Sequence, residues 1–430
     1  MIKRVICIIC VVAMLITGFA CNSVKQPIMD LTPAPTHMDT QSPAQMPTLS
    51  ATPTENAVIS PTPQFQNATA TLGFVGDIMI MQNQVKGALQ SDGSYDFTGS
   101  FESMRELFNS VDVMCANLEA PLAGEYAVYS EAAPTIPPAT EENPNPLKPF
   151  QTFNAPDELA KNLYDLGFDV LTTANNHCLD RGIEGLRRTI QVIRKAGLMQ
   201  TGTFLSKDDI EPLIIEVNGI KIGMVAFSGG FNTMNYGLPK SDLYSISYLY
   251  DTNYVKNMID SCKNAGADYI IAFPHCGDER VTTPPARVVD LFHDLVSWGV
   301  DAVIASHPHV VQPIDWIEVE RDGKTVKAPI VYSLGNFISN MATPCDFGMY
   351  VQLVLEKDEN GTQAVSISYL PVYCIRQYVG GKTIHQTLPC YEVSTKINAN
   401  KQLTKAELDA IDRCRKFVIE ICGTKYLLND

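Results

Sequence analysis

Two periods of apolar and polar residues alternate along this chain. Short, β-rich apolar runs occupy residues 72–75, 111–116, 170–173, 221–227, 269–273, 302–305 and 330–332. Between them, residues 156–166, 183–196, 253–264 and 284–298 carry apolar positions at i, i+3 and i+4, the spacing of amphipathic helices. Strands alternating with helices predict an α/β fold whose sheet is mostly parallel and covered on both faces. From 350 to 372 the pattern changes to two polar-alternating strands joined across Asp358-Glu359-Asn360-Gly361, a hairpin signal. Thr404-Lys405-Ala406-Glu407 is a capping box that opens a last helix reaching about residue 421. One large domain is therefore expected at 71–375, followed by a C-terminal extension with its helix at 376–430.

The residues before that domain follow neither period. Lys3 and Arg4 precede an apolar run over 5–19, short for a membrane span, which ends in Gly18-Phe19-Ala20-Cys21. This anatomy predicts export. The small residues before Cys21 resemble the end of a bacterial lipoprotein signal, here residues 1–21, with Cys21 lipidated and the protein held on the extracellular side of the membrane. A plain secretory signal and a retained N-terminal anchor are the alternatives. Residues 22–70 are rich in Pro, Thr, Ser, Ala and Gln and predict a disordered linker that holds the domain off the membrane. The Pro-, Glu- and Thr-rich stretch at 123–150 is expected as a long surface loop near the domain mouth.

Charge narrows the partners. A formal net charge of −15 argues against nucleic acid, whose binding needs a basic footprint. It leaves room for an anionic polymer or phosphorylated substrate held at a metal. Of the twelve cysteines, Cys7 and Cys10 lie in the signal and nine are scattered from Cys115 to Cys422 without metal-site spacing. Most are expected as small buried side chains, and a Cys374–Cys390 pair is left open.

In open α/β sheets, ligand sites gather at the carboxyl ends of the strands. There the chain carries Gly76-Asp77, Asn117-Leu118-Glu119, Asn175-Asn176-His177 with Asp180 and Gly182, and His275-Cys276-Gly277-Asp278-Glu279. Ser306-His307-Pro308-His309 and Ser333-Leu334-Gly335-Asn336-Phe337 follow the last two runs. Four of the seven histidines stand at these ends. Neutral imidazole and carboxylate are the donors a divalent transition metal takes. A His-x-His step in an extended segment points both rings to one side. Each fragment alone has a plainer reading: a turn, a helix cap, a buried histidine. Together, and in this order, they predict one joint metal site.

These motifs resemble the CapA/PgsA family, associated with poly-γ-glutamate capsule biosynthesis and part of the metallophosphoesterase-like superfamily. The resemblance runs from about residue 71 to 372 and is carried by Gly76-Asp77-Ile78-Met79, Asn117-Leu118-Glu119, Ala174-Asn175-Asn176-His177-x-x-Asp180-x-Gly182, His275-x-Gly277-x-Glu279, His307-Pro308-His309-Val310-x-Gln312 and Tyr332-Ser333-Leu334-Gly335-Asn336-Phe337. It implies a layered sandwich of mixed β-sheets flanked by helices. It implies Asp77 on a first metal, Glu119 bridging, and Asn176 with His275 on a second, while His307 and His309 divide between the two. His177, with Asp180, is implied as the general acid. Asn117, Glu279, Arg280 and Asn336 are the expected substrate contacts. One or two divalent transition metals (Mn, Zn or Fe) are the expected cofactor, and membrane subunits of a capsule synthesis complex are possible partners. Met79 stands where many metallophosphoesterases place a second ligand histidine, so the first metal site is expected to be weaker or empty. Two other functions fit the same ligands: a cell-surface metallophosphatase acting on nucleotides or phosphorylated glycans, and a non-catalytic anionic-polymer-binding protein.

Overall fold

The computed structural model describes residues 67–125, 129–130, 152–392 and 403–428. The signal with Cys21, the linker through residue 66 and most of the 123–150 loop lie outside the described residues. Among the described residues, fourteen strands follow one another: β1 (Ala68–Ile78), β2 (Val113–Leu118), β3 (Val170–Thr172), β4 (Met199–Thr201), β5 (Leu213–Val217), β6 (Ile220–Ser228), β7 (Tyr269–His275), β8 (Ala302–Ile304), β9 (Ile314–Arg321), β10 (Lys324–Val331), β11 (Asn336–Ile338), β12 (Phe347–Asp358), β13 (Gly361–Val379) and β14 (Lys382–Pro389). They form two sheets. The first runs β14-β13-β12-β1-β2-β3-β4 with β11 also on β1; the second runs β5-β6-β7-β8-β10-β9.

The expectation of one mostly parallel sheet is corrected here. The first sheet is parallel from β1 to its edge at β4 and antiparallel through β12, β13 and β14; the second is parallel across β6, β7, β8 and β10, with β5 and β9 antiparallel at its two edges. The mixed-sheet sandwich implied by the family resemblance is the architecture found.

The pleat explains the layering, because successive side chains leave a strand on opposite faces. Ile222, Met224 and Ala226 of β6 and Ile271 and Phe273 of β7 join Leu72, Phe74, Met349, Val351 and Leu353 of the first sheet in one core. The intervening Val225, Phe227, Ile270 and Ala272 face helices Thr252–Asn264 and Ala286–Trp298. On the far side of the first sheet, Val75, Ile78 and Tyr350 pack with Phe101, Phe108 and the helix Glu158–Leu166. The order is therefore helix, sheet, sheet, helix.

The chain does not break at residue 375, which lies inside β13. The helix Lys405–Cys422 places Ile411, Cys414 and Val418 in the inter-sheet core. Its capping box forms as the sequence predicts, with Thr404 Oγ1 accepting from the Glu407 N–H at 3.3 Å and Glu407 Oε2 accepting from the Thr404 N–H at 2.7 Å. Among the described residues, no helix is long and apolar enough to cross a membrane.

Candidate metal centre

The carboxyl ends of the parallel strands from both sheets bring the chemistry together. β1 delivers Asp77, the residue after β2 is Glu119, and the turn after β3 holds Asn176 and His177. β7 ends on His275, and the turn after β8 carries His307 and His309. The register of β1 on β2 shifts between Val75 and Asp77, after which Asp77 stands opposite Asn117 of β2 on one side and Asn336 of β11 on the other. Such a bulge re-aims a side chain. Gly76 permits this approach: a Cβ there would lie 1.8 Å from the Gly335 carbonyl oxygen.

Two groups of metal-ligand atoms result, Asp77, Glu119 and His309 in one and Glu119, His275 and His307 in the other. Within each group the atoms lie inside 4.8 Å of one another. Glu119 is common to both. It is fully buried, and neither carboxylate oxygen has a hydrogen-bond partner. A buried carboxylate left unpartnered is costly, and a pair of cations sharing it removes that cost. The donors are all nitrogen and oxygen, a set suited to Mn, Zn or Fe. The site fits the implied metal.

The surrounding atoms hold these ligands in place. His275 Nε2 lies 2.9 Å from Asn176 Oδ1 and 3.2 Å from His307 Nδ1, while its Nδ1 meets Ser306 Oγ at 2.9 Å. His309 Nδ1 meets Asn336 Oδ1 at 3.0 Å and lies 3.5 Å from Asp77 Oδ2. His177 Nδ1 is bonded to Asp180 Oδ2 at 2.7 Å, which leaves Nε2 3.9 Å from Glu119 Oε1. Phe153 packs 4.3 Å from the His177 ring and its N–H donates to Asp180 at 2.6 Å.

Three expectations change. His307 and His309 do not share a face through an extended pleat. Both have left-handed backbones, φ +103° and +58°, and a tight turn about Pro308 brings their rings to 5.9 Å. Such conformations are costly for residues other than glycine and persist where neighbours enforce them. Asn117 and Asn336, expected at the substrate, are buried and satisfied internally. The Asn117 amide donates to Asp77 Oδ1 at 2.8 Å and its oxygen accepts from Thr172 and Asn175. Asn336 holds His309 with its oxygen and donates to the Cys345 carbonyl at 2.8 Å. They orient ligands, as outer partners of metal sites do. Met79 is packed in the helix-side core.

Glu279 and Arg280 are exposed beside the centre. The Arg280 N–H donates to the Pro308 carbonyl at 2.8 Å, tying its loop to the histidine turn, and its guanidinium makes no ion pair among the described residues. Glu279 is close enough to act on His275, His307 and His309.

Electrostatics separate the roles. Burial, then the charge of Asp77, pushes the Glu119 carboxyl well above its usual range. Asp77 is held below its own, because His309 and His275 outweigh its burial. Burial drives His275 and His307 to about 3, with neighbouring histidines adding to it. His309 rises to about 9, since the Glu119 and Asp77 carboxylates overcome burial. His177 is raised by its hydrogen bond to Asp180 and by that charge, against burial.

Sequence reading missed several participants. Asn175 ties Asn117 Oδ1 to the Leu118 carbonyl and accepts from the His177 N–H at 3.2 Å. Asn232 accepts from Asn176 at 3.3 Å. Tyr248 and Tyr250 stand half-exposed in a T-shaped pair on the segment hydrogen-bonded to Ser228 at the end of β6. No motif marks the segment from 229 to 250; only its position beside His275 reveals it.

The geometry offers two ligand groups that share Glu119, beside His177, on a layered α/β scaffold. Residues 71–341 match the family model described as bacterial capsule synthesis protein PGA_cap, and the chain belongs to that family. It is 27% identical over 285 residues to the capsule biosynthesis protein CapA of Bacillus anthracis, covering 65% of this chain and 62% of that protein. It is 27% identical over 312 residues to the PGA biosynthesis protein CapA of Bacillus subtilis, covering 72% and 73%. Among solved structures it is similar to the calcineurin-like phosphoesterase YfkN of Bacillus subtilis, at 15% identity and a TM-score of 0.43, covering 83% of this chain and 99% of that one. The chain thus spans less than two thirds of the length of the Bacillus anthracis relative.

Proposed function

We propose that this protein acts in poly-γ-glutamate capsule biosynthesis or export as a metal-dependent hydrolase-type enzyme, exported and anchored at the extracellular side of the membrane. The observation that carries the catalytic part is Glu119, buried with two unpartnered oxygens between two ligand groups. Family membership supports the capsule role, and the likeness to the PGA biosynthesis protein CapA of Bacillus subtilis supports PGA as the polymer. The charged n-region, apolar run and Cys21 support export and lipid anchoring. Membrane subunits of a capsule complex are the fitting partners.

Asp77, Glu119 and His309 would hold one cation; Glu119, His275 and His307, with Asn176, would hold the other. When bound, such a pair supplies Lewis acidity toward an ester or amide oxygen and acidifies water. The chain's own residues do the rest. Asp180 fixes the His177 tautomer and raises its proton affinity, so Nε2 can donate to a leaving group. Arg280, exposed at the rim, offers its guanidinium to an anionic substrate. This donor beside the metal centre favours turnover over simple polymer binding, which needs no proton source.

The test is to assay purified, metal-loaded protein on γ-glutamyl polymer, phosphodiesters and phosphomonoesters in parallel. Cleavage or transfer of γ-glutamyl polymer, lost in His177→Asn, supports the reading. Hydrolysis confined to phosphate esters moves the protein to the cell-surface phosphatase class. Retained polymer binding without turnover on any substrate contradicts the enzyme.

A further inference from the structure

Away from the metal centre, two buried thiols meet. Cys390 follows the end of β14, and Cys414 lies in the helix Lys405–Cys422; both belong to the inter-sheet core. They converge on one stretch of β13. The Cys390 N–H donates to the Pro371 carbonyl at 2.8 Å, and the Cys414 thiol donates to the Val372 carbonyl at 3.4 Å. Arg415, next to Cys414, donates to the Cys390 carbonyl at 3.3 Å. The Cys390 thiol reaches the Leu388 carbonyl at 3.8 Å, and its side chain is near enough to act electrostatically on Cys414. Cys374, the partner left open by the sequence, turns elsewhere and donates to the Ser339 carbonyl at 3.4 Å.

We propose that Cys390 and Cys414 are the site of a disulfide that fastens the C-terminal helix to the first sheet when the chain folds under oxidising conditions. The oxidant is a disulfide, either of an oxidoreductase or of glutathione. One cysteine thiolate attacks it and forms a mixed disulfide, releasing one thiolate; the second cysteine then displaces the other. Two protons leave the protein thiols, and two electrons pass to the oxidant, which ends as two thiols. Both sulfurs are buried in the folded state, so exchange belongs to folding, before the helix docks. Closing the loop between 390 and 414 restricts the unfolded chain and stabilises the native one.

The full chain is refolded with reduced and oxidised glutathione, or with dithiothreitol, and mapped by alkylation and peptide mass spectrometry. A cross-linked 390–414 peptide is expected after oxidative refolding, absent in Cys390→Ser and Cys414→Ser and kept in Cys374→Ala. The oxidised form should melt about 3–6 °C above the reduced one. Full alkylation of both cysteines after oxidative refolding, or a cross-link joining either to a different cysteine, overturns the proposal. The wild-type map decides even if a variant fails to fold.

Discussion

Single side chains divide the work at this centre, and the division can be tested. In the proposed role His177 acts protonated, and Asp180 raises its proton affinity. Activity that needs this proton persists at low pH and falls as pH rises through the His177 pKa. Asp180→Asn removes the raising charge, so the high-pH limb of the rate profile should move to lower pH. His177→Asn should lower kcat about 100- to 10,000-fold while leaving metal content unchanged. Loss of metal in that variant would make His177 a ligand instead. Asn336→Ala acts differently. It frees His309 from its 3.0 Å partner, and loss of such an outer contact should weaken metal affinity about 10- to 100-fold, read by chelator competition.

At the scale of elements, two close contacts set the site. Gly76→Ala would drive a Cβ into the Gly335 carbonyl, and a cost of about 3 kcal/mol in denaturant unfolding is expected. Ile411→Ala, which empties part of the core under the last helix, should cost about 2–5 kcal/mol. A loss below about 1 kcal/mol would mean that the helix is an appendage. Most of these elements were legible in the sequence. The helices beginning near 156, 183, 253 and 284 and the hairpin across Asp358 stand where period and turn chemistry put them, because each buries one face. β4 and β5 were not legible: β4 has three residues and β5 is half-buried, so neither shows a sustained period. The partition into two sheets was hidden too, since an apolar run reveals that a strand is buried but not which neighbour pairs with it. The same limit explains the histidine turn. The spacing of His307 and His309 announced a ligand pair, whereas their left-handed backbones belong to a turn whose Pro308 carbonyl is held by the Arg280 N–H and whose ring lies against Gly277.

For the whole molecule, two sheets contribute strand ends to one centre, so bound cations should couple to folding. The fully loaded protein should melt about 5–10 °C above the chelator-treated protein, as expected for metal in large excess of its Kd. Uptake at neutral pH should also release protons, because buried Glu119 and His309 favour their protonated forms without metal. If two cations share Glu119, as proposed, metal stoichiometry reads it out. Wild type and Glu119→Gln would be stripped, reloaded with Mn, Zn or Fe, and analysed by elemental mass spectrometry. About two ions per wild-type chain and at most one in the variant are expected. No metal above background in the wild type, or equal loading of both proteins, would contradict it.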